Sequence, residues 1–255
     1  MSRVFITGST DGLGYAAAKS LIDDGHEVVL HARSHNRASS IEDVAAKSVG
    51  VVIGDLSGVV ETQKVAEQVN AIGKMDAVIH NAGVYRVASR SATPEGHAKT
   101  FAVNTLAPYI LTAMIERPFR LIYLSSGMHR QGSPSLIDID WTERRWDQSQ
   151  AYCDSKLFVT ALALAVARRW PDVLSNAVDP GWVPTKMGGA GASDDLEMGH
   201  LTQTWLAVSN EDSAMTSGKY WYHRKEQSPA AKAMDAGFQD QLVTTLANLS
   251  GISLF

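Results

Sequence analysis

Several features that would mark particular kinds of protein are scarce in this sequence. Cys153 is the only cysteine in 255 residues, so no intramolecular disulfide can form and no cysteine-based zinc site can be built. No metal is expected, and a reducing compartment fits. No stretch approaches the ~20 apolar residues of a membrane-spanning helix. The N-terminal Met1-Ser2-Arg3-Val4-Phe5-Ile6 meets a glycine turn before it can form the apolar core of a secretory leader, and a cytoplasmic location is expected. Neither sign of charge dominates: 23 Lys plus Arg stand against 27 Asp plus Glu, a formal net charge of −4. Without a basic face or a long like-charge run, nothing draws the chain to nucleic acid or an acidic membrane. Internal repeats and low-complexity segments are also missing.

What is present is globular sequence in a regular order. With 45% hydrophobic and 20% charged residues, the chain can bury a core and is not disordered. Short β-rich runs at 3–7, 27–32, 49–54, 75–80, 120–125, 173–179 and 219–222 alternate with helical patterns. Those patterns cover 13–24, 58–72, a segment opened by Thr93-Pro94-Glu95, and 151–170, which Pro171 closes. Thr93 suits a helix cap, Pro94 the first helical position and Glu95 the helix dipole. Continuously apolar strands are buried on both faces. The alternation implies an α/β fold, a single domain over 1–255 with a doubly wound parallel sheet and helices on both faces. The glycine-rich, acidic stretch 186–197 reads as a mobile loop.

Thr7-Gly8-Ser9-Thr10-Asp11-Gly12-Leu13-Gly14 follows the first strand and opens the first helix. Glycines there let the backbone approach a pyrophosphate, and a helix N-terminus offers free N–H groups and a positive dipole end. An ordinary strand–helix turn is the plainer alternative. Tyr152 and Lys156 stand four apart, on one face of a helix. A free phenol titrates near 10, and a neighbouring ammonium is expected to lower that value and ready the tyrosine for proton transfer at neutral pH. Ser126 can hydrogen-bond the same substrate oxygen as charge develops on it.

The glycine spacing departs from Gly-x-Gly-x-x-Gly. Together with Asn81-Ala82-Gly83, Val103-Asn104, Leu124-Ser125-Ser126, Tyr152-Cys153-Asp154-Ser155-Lys156 and Asp179-Pro180-Gly181-Trp182-Val183-Pro184-Thr185, it resembles the short-chain dehydrogenase/reductase family, over almost the whole chain. A long segment, 127–150, separates Ser126 from Tyr152. That length, with Ser125-Ser126-Gly127-Met128-His129, Ser155-Lys156-Leu157 and Gly218-Lys219-Tyr220-Trp221, is similar to the retinol-dehydrogenase-like and WW-domain-oxidoreductase-like branch.

The resemblance implies a Rossmann fold that carries both cofactor and substrate sites. It makes Tyr152 the proton donor, Ser126 its partner on the substrate oxygen, Lys156 also a holder of the nicotinamide ribose, and Asn104 part of a proton relay through water. Ser125 adjoins Ser126; Ser126 is preferred because the family's catalytic serine is the second of such a pair. The cofactor is implied to lie over Gly8, Ser9, Thr10, Asp11, Gly12, Leu13 and Gly14. Asp55 and Leu56 serve the adenine, Asn81, Ala82 and Gly83 line the adenosine side, and Pro180, Gly181, Val183 and Thr185 cradle the nicotinamide. His129 is read as structural.

The second strand ends Leu30-His31-Ala32-Arg33-Ser34. No carboxylate stands there to repel a 2′-phosphate, whereas Arg33 can grip one, with help from Ser34 and Arg37. NADP(H) is therefore the expected cofactor. The expected activity is reduction of an aldehyde or ketone to an alcohol on a small hydrophobic carbonyl or alcohol substrate. A non-catalytic NADP(H)-binding sensor or scaffold is the alternative, opposed by the full set Asn104, Ser126, Tyr152 and Lys156. An epimerase or dehydratase is opposed by the short C-terminal portion. A substrate loop is expected at about 184–206, its glycines with Ala190 and Ala192 suggesting a lid. Trp141, Trp182, Met187, Met198 and Trp205 are candidates for apolar walls, or equally for core. Leu157, Phe158, Val159, Leu162, Leu164 and Val166 cover much of the helix 151–170, and a homodimer is expected.

Overall fold

A computed structural model describes residues 1–189 and 191–255. Eight strands form one sheet: β1 Arg3–Ile6, β2 Glu27–Ala32, β3 Gly50–Ile53, β4 Ala77–His80, β5 Arg120–Leu124, β6 Leu174–Asp179, β7 Tyr220–Tyr222 and β8 Lys225–Gln227, in the order β3-β2-β1-β4-β5-β6-β7-β8. All neighbours are parallel except β7 and β8. The principal helices are α1 Gly12–Asp23, α2 Val59–Ile72, α3 (Lys99–Phe101, a π-helical turn Ala102–Leu106, and Ala107–Met114), α4 Gln148–Arg169, α5 Leu196–Val208 and α6 Ala236–Ser250.

The two-residue period of a strand sorts its side chains into two layers. Phe5, Val29, Val78, Leu121 and Tyr123 face α2, α3, α4 and α6. Val4, Ile6, Val28, Leu30, Ile79, Ile122 and Leu124 face α1 and α5. Both layers are apolar because helices cover both faces, as the continuous strand runs predicted. Strand order reverses between β1 and β4, so a crevice opens beyond their carboxyl ends, the place where such sheets bind ligands. Among the described residues, no helix is long and apolar enough to cross a membrane.

Three local expectations change. Thr93-Pro94-Glu95 does not start a helix: these residues form a turn closed by the Gly96 N–H, which donates to Thr93 O at 2.9 Å, and α3 begins at Lys99. Glu95 instead caps α2, its Oε1 accepting the Val59 N–H at 2.9 Å. The expected loop 184–206 divides: its second half is α5, started by Asp195, which accepts the Met198 N–H at 3.0 Å. Ala190, read as a sign of mobility, lies outside the described residues. The strand at 219–222 turns back through His223 and Arg224, both at positive φ, to form β8.

The apolar circumference of α4 is accounted for within one chain. One side lies on the sheet, and α6 covers another, with Phe238 against Phe158 at 6.1 Å between ring centres and Leu242 and Leu246 wholly buried.

Candidate active site

The motif segments converge at the carboxyl ends of β1, β4, β5 and β6. After β1, Gly8 takes φ +65°, and a Cβ there would lie 3.0 Å from the Ala82 Cα. At Gly14 a Cβ would run into the Gly8 carbonyl and the Asn81 amide. Only glycine fits either position. Asn81 straps the turn from β4, donating to Thr7 O at 3.0 Å and Gly8 O at 3.3 Å, while the Ala82 N–H donates to Thr7 Oγ1 at 2.9 Å. Asp11 caps α1 by accepting the Gly12 N–H at 2.9 Å. This is a cradle at a helix N-terminus, and it fits a dinucleotide pyrophosphate.

His31, for which the sequence suggested no role, braces the cradle from beneath. Its Nδ1 accepts the Gly8 N–H at 2.9 Å, its Nε2 lies 2.9 Å from Gly54 O, and its own N–H donates to Ser9 Oγ at 2.8 Å. Burial pushes its ring down to about 4. Arg33 is exposed and makes no hydrogen bond or ion pair among the described residues. Arg37 reaches further, its guanidinium donating to Thr10 O at 3.3 Å, Thr10 Oγ1 at 3.2 Å and Asp11 Oδ2 at 3.4 Å. Lys186, from the segment after β6, also meets Asp11 at 2.5 Å, and this bond leads in holding the Asp11 carboxyl below its usual range. Asp55 folds on its own loop, accepting the Ser57 N–H at 2.9 Å, and Leu56 is buried.

Beyond β5 the two serines part. Ser125 is buried, with its hydroxyl 2.6 Å from Thr160 Oγ1. The Ser126 hydroxyl accepts the Met128 N–H at 3.3 Å and lies near enough to the Tyr152 phenol to favour its ionised form. His129 is wholly buried and spans Ser126 O at 2.8 Å and the Ala230 N–H at 2.9 Å, a structural brace. α4 starts at Asp147, which accepts the Ser149 and Gln150 N–H groups, both at 2.9 Å, and presents Tyr152 and Lys156 one turn further on. Asn104 sits in the π-helical turn. It holds Val84 by two bonds, 2.8 and 3.0 Å, and donates to Ser155 Oγ at 3.0 Å. π-turns of this kind recur at functional sites.

The expected lowering of the Tyr152 phenol does not occur. Burial raises it well above its ordinary value, opposed by the Ser126 hydroxyl and helped by the Asp179 charge and by Tyr85 and Cys153. The Lys156 ammonium points instead to Leu124 O at 2.6 Å and lies 5.6 Å from the centre of the Tyr152 ring. Its own value falls to about 8 through burial, partly offset by Asp179. Desolvation outweighs the cation because the phenol is buried and the ammonium is turned toward Leu124 O.

Tyr85, also unforeseen, stacks at a tilt on Tyr152 at 4.5 Å. The insertion 127–150 holds that wall in place. Trp146 donates to Val87 O at 2.8 Å, Arg90 to Asp140 O at 2.6 Å, and Asp140 meets His97 at 2.8 Å. Of the candidate apolar walls, Trp141 and Trp205 are packed, Trp141 under Arg144 at 3.5 Å and Trp205 against Trp221 at 5.2 Å. Trp182 and Met187 remain open, at 53% and 37% exposure. Gly181 donates to Asp179 Oδ1 at 3.0 Å, Val183 is buried, and the Thr185 methyl lies near Gly12.

A parallel, doubly wound sheet with a glycine cradle at its crossover and a Ser–Tyr–Lys group beside it defines a dinucleotide-binding oxidoreductase. The profile of the short chain dehydrogenase family matches residues 2–195. Short-chain dehydrogenase chyC of Penicillium rubens is 42% identical over 258 residues, which cover 100% of this chain and 99% of that protein. Human retinol dehydrogenase 13 is 27% identical over 281 residues, covering 98% of this chain and 84% of its own, in keeping with the branch inferred above. A crystal structure of a Mycobacterium paratuberculosis protein superposes with a TM-score of 0.86 at 23% identity, over 100% of this chain and 95% of that one. The chain belongs to the short-chain dehydrogenase family.

Proposed function

We propose that the protein is an NADP(H)-dependent reductase that converts an aldehyde or ketone to an alcohol, with Tyr152 as proton donor. The observation that carries this reading is the buried Tyr152 phenol, with the Lys156 ammonium 5.6 Å from its ring and Ser126 just past the end of the neighbouring strand. Held well above its ordinary value, the phenol keeps its proton throughout the neutral range, as a donor must before its substrate arrives. The Ser126 hydroxyl stands beside it to bond the same substrate oxygen.

When bound, the nicotinamide supplies hydride. Gly8–Gly14 would hold the pyrophosphate, Lys156 the ribose beside the nicotinamide, and Arg37 with Arg33 and Ser34 a 2′-phosphate, since the end of β2 carries no carboxylate to repel one. Asn104 would take part in a proton relay through water, held in place by Val84 and by Ser155 Oγ, whose own hydroxyl donates to the Tyr152 backbone carbonyl at 2.8 Å. The open Trp182 and Met187 favour a hydrophobic substrate. A scaffold without chemistry has no use for a proton donor in this position.

The test follows the absorbance of NADPH with a panel of aldehydes, ketones and quinones. Wild type should turn over at least one class. Tyr152→Phe should bind NADPH unchanged and lose a hundredfold or more of the rate, the order of a general-acid contribution of ~10²–10⁴. Near-wild-type turnover by Tyr152→Phe would reject the assignment.

A further inference from the structure

By charge alone, Asp11 is out of place in the cradle. The N-terminus of α1 favours anions, yet the residue that caps it brings a carboxylate of its own. Oδ1 accepts the Gly12 N–H at 2.9 Å. Oδ2 meets two cations from distant parts of the chain, Lys186 at 2.5 Å and Arg37 at 3.4 Å. Arg37 also donates to Thr10 O at 3.3 Å and Thr10 Oγ1 at 3.2 Å. A 2′-phosphate would draw on Arg37, which leaves Lys186 as the partner that Asp11 keeps.

Lys186 lies in the segment after β6, where that segment meets the cradle. The Thr185 methyl lies 3.5 Å from the position of a Cβ on Gly12. The Met187 Cε lies 3.9 Å from the position of a Cβ on Gly83, a glycine that also adjoins Lys156 Nζ and Asn104 Oδ1. These three residues therefore run from the cradle to the catalytic group. The base of the segment is anchored, with Val183 buried against Gly199 of α5, and the Trp182 indole donates to Gly188 O at 3.0 Å. Among the described residues, the Lys186–Asp11 pair is the sole hydrogen bond or ion pair by which Thr185–Met187 reach another part of the chain.

We infer that Lys186 is a positioning residue of the cofactor site: its ion pair with Asp11 latches the segment 183–188 onto the cradle and offsets the carboxylate that a pyrophosphate would otherwise meet. The offset presupposes the dinucleotide reading of the cradle; the latch exists in the free protein. The side chains of Lys186 and Asp11 are 81% and 44% exposed. A pair this open supplies about two- to fivefold in an equilibrium constant.

Hydrogen exchange of the nucleotide-free protein, followed by mass spectrometry over 183–189, tests the latch. The Thr185, Gly188 and Gly189 N–H groups are bonded within this segment, to Val183 O, Thr185 Oγ1 and Thr185 O. Asp11→Asn and Lys186→Ala should each exchange about two- to fivefold faster there than wild type. Asparagine caps a helix as well as aspartate does, so α1 keeps its start. Arg37→Ala removes the other ion pair of Asp11 and should leave exchange over 183–189 as in wild type. Unchanged exchange in Lys186→Ala, or an equal rise in Arg37→Ala, would overturn the latch. Fluorescence titration with NADPH and NADH tests the offset. Lys186→Ala should raise both Kd values by a like factor, since the pyrophosphate is common to both. In an Asp11→Asn background the same substitution should change neither, because no carboxylate is left to offset. No change in the wild-type background, a change for NADPH alone, or a change that persists in the Asp11→Asn background would each overturn the offset. If wild type binds neither nucleotide, the cofactor reading fails, while hydrogen exchange still decides the latch.

Discussion

At neutral pH the His31 ring carries its proton on Nε2, because Nδ1 accepts from Gly8 and Nε2 faces the Gly54 carbonyl. Protonating Nδ1 would break the bond to the cradle. The folded-state value of about 4 lies below the ordinary 6.5. The folded state therefore binds fewer protons than the unfolded one between these values. The resulting stability is fully present above 6.5 and is lost as pH falls toward 4. It amounts to roughly 3 kcal/mol at most. Urea unfolding at about pH 7 and about pH 5 should show His31→Gln losing about 2 kcal/mol less than wild type over that interval. Buried His80, also depressed, is common to both proteins and cancels. At the rim of the cradle, Arg33→Ala and Arg37→Ala should each raise the Kd for NADPH about tenfold, the worth of one charge-assisted bond, and leave that for NADH unchanged. Fluorescence titration decides, and a wild-type preference for NADH would defeat the cofactor assignment. The glycine turn and the Tyr152–Lys156 pair were legible in the sequence because their chemistry is local, within one turn or one helical face. His31 and Tyr85 were not, because their partners lie far along the chain and a strand histidine or a loop tyrosine carries no spacing signal. Arg37 was visible only as a helper. Its reach to Thr10 depends on how the turn His35–Ala38 folds back.

Element boundaries show the same division. β1 to β7 and α1, α2 and α4 were readable from periodicity, usually within a residue or two. Thr93-Pro94-Glu95 misled because its cap chemistry is real but serves another helix. Gly58, at the α2 cap, has no side chain to offer, and Glu95 satisfies the free Val59 N–H from outside. Glu95→Ala should therefore destabilise the protein by about 1 kcal/mol and lower its Tm by about 2–4 °C in thermal unfolding. An unchanged Tm would show that water caps α2 equally well. α5 was hidden because Gly199 and the polar Thr202, Gln203 and Thr204 weaken its helical pattern. It forms through packing: a Cβ on Gly199 would lie 2.8 Å from side-chain carbons of both Leu13 and Val183, so the helix sits close on the start of α1.

At the scale of the whole molecule, α4 joins the chemistry to the core. It carries Tyr152 and Lys156 at its first turns and lies between the sheet and α6. Truncating a buried side chain of α6 should be felt across that layer: Leu242→Ala, at a position with 0% exposure, should cost about 2–5 kcal/mol in denaturant unfolding. A loss below 1 kcal/mol would mean that α6 is a dispensable cover. The α6 residues Phe238, Leu242 and Leu246 stand at helical spacing and are buried, but spacing alone does not name the surface they cover. The apolar circumference of α4 suggested a second subunit, and α6 supplies that cover from the same chain.

The antiparallel β8 also determines where the sheet stops. Its three residues, Lys225, Glu226 and Gln227, are all exposed, and Glu226 pairs with Lys219 at 2.7 Å. A parallel sheet that ended at the apolar β7, with Tyr220 and Trp221, would offer unpaired backbone groups to any other exposed strand. A short, charged, reversed strand blunts that edge. The hairpin at His223 and Arg224 is therefore a solubility device: it keeps concentrated protein from growing its sheet from one molecule into the next.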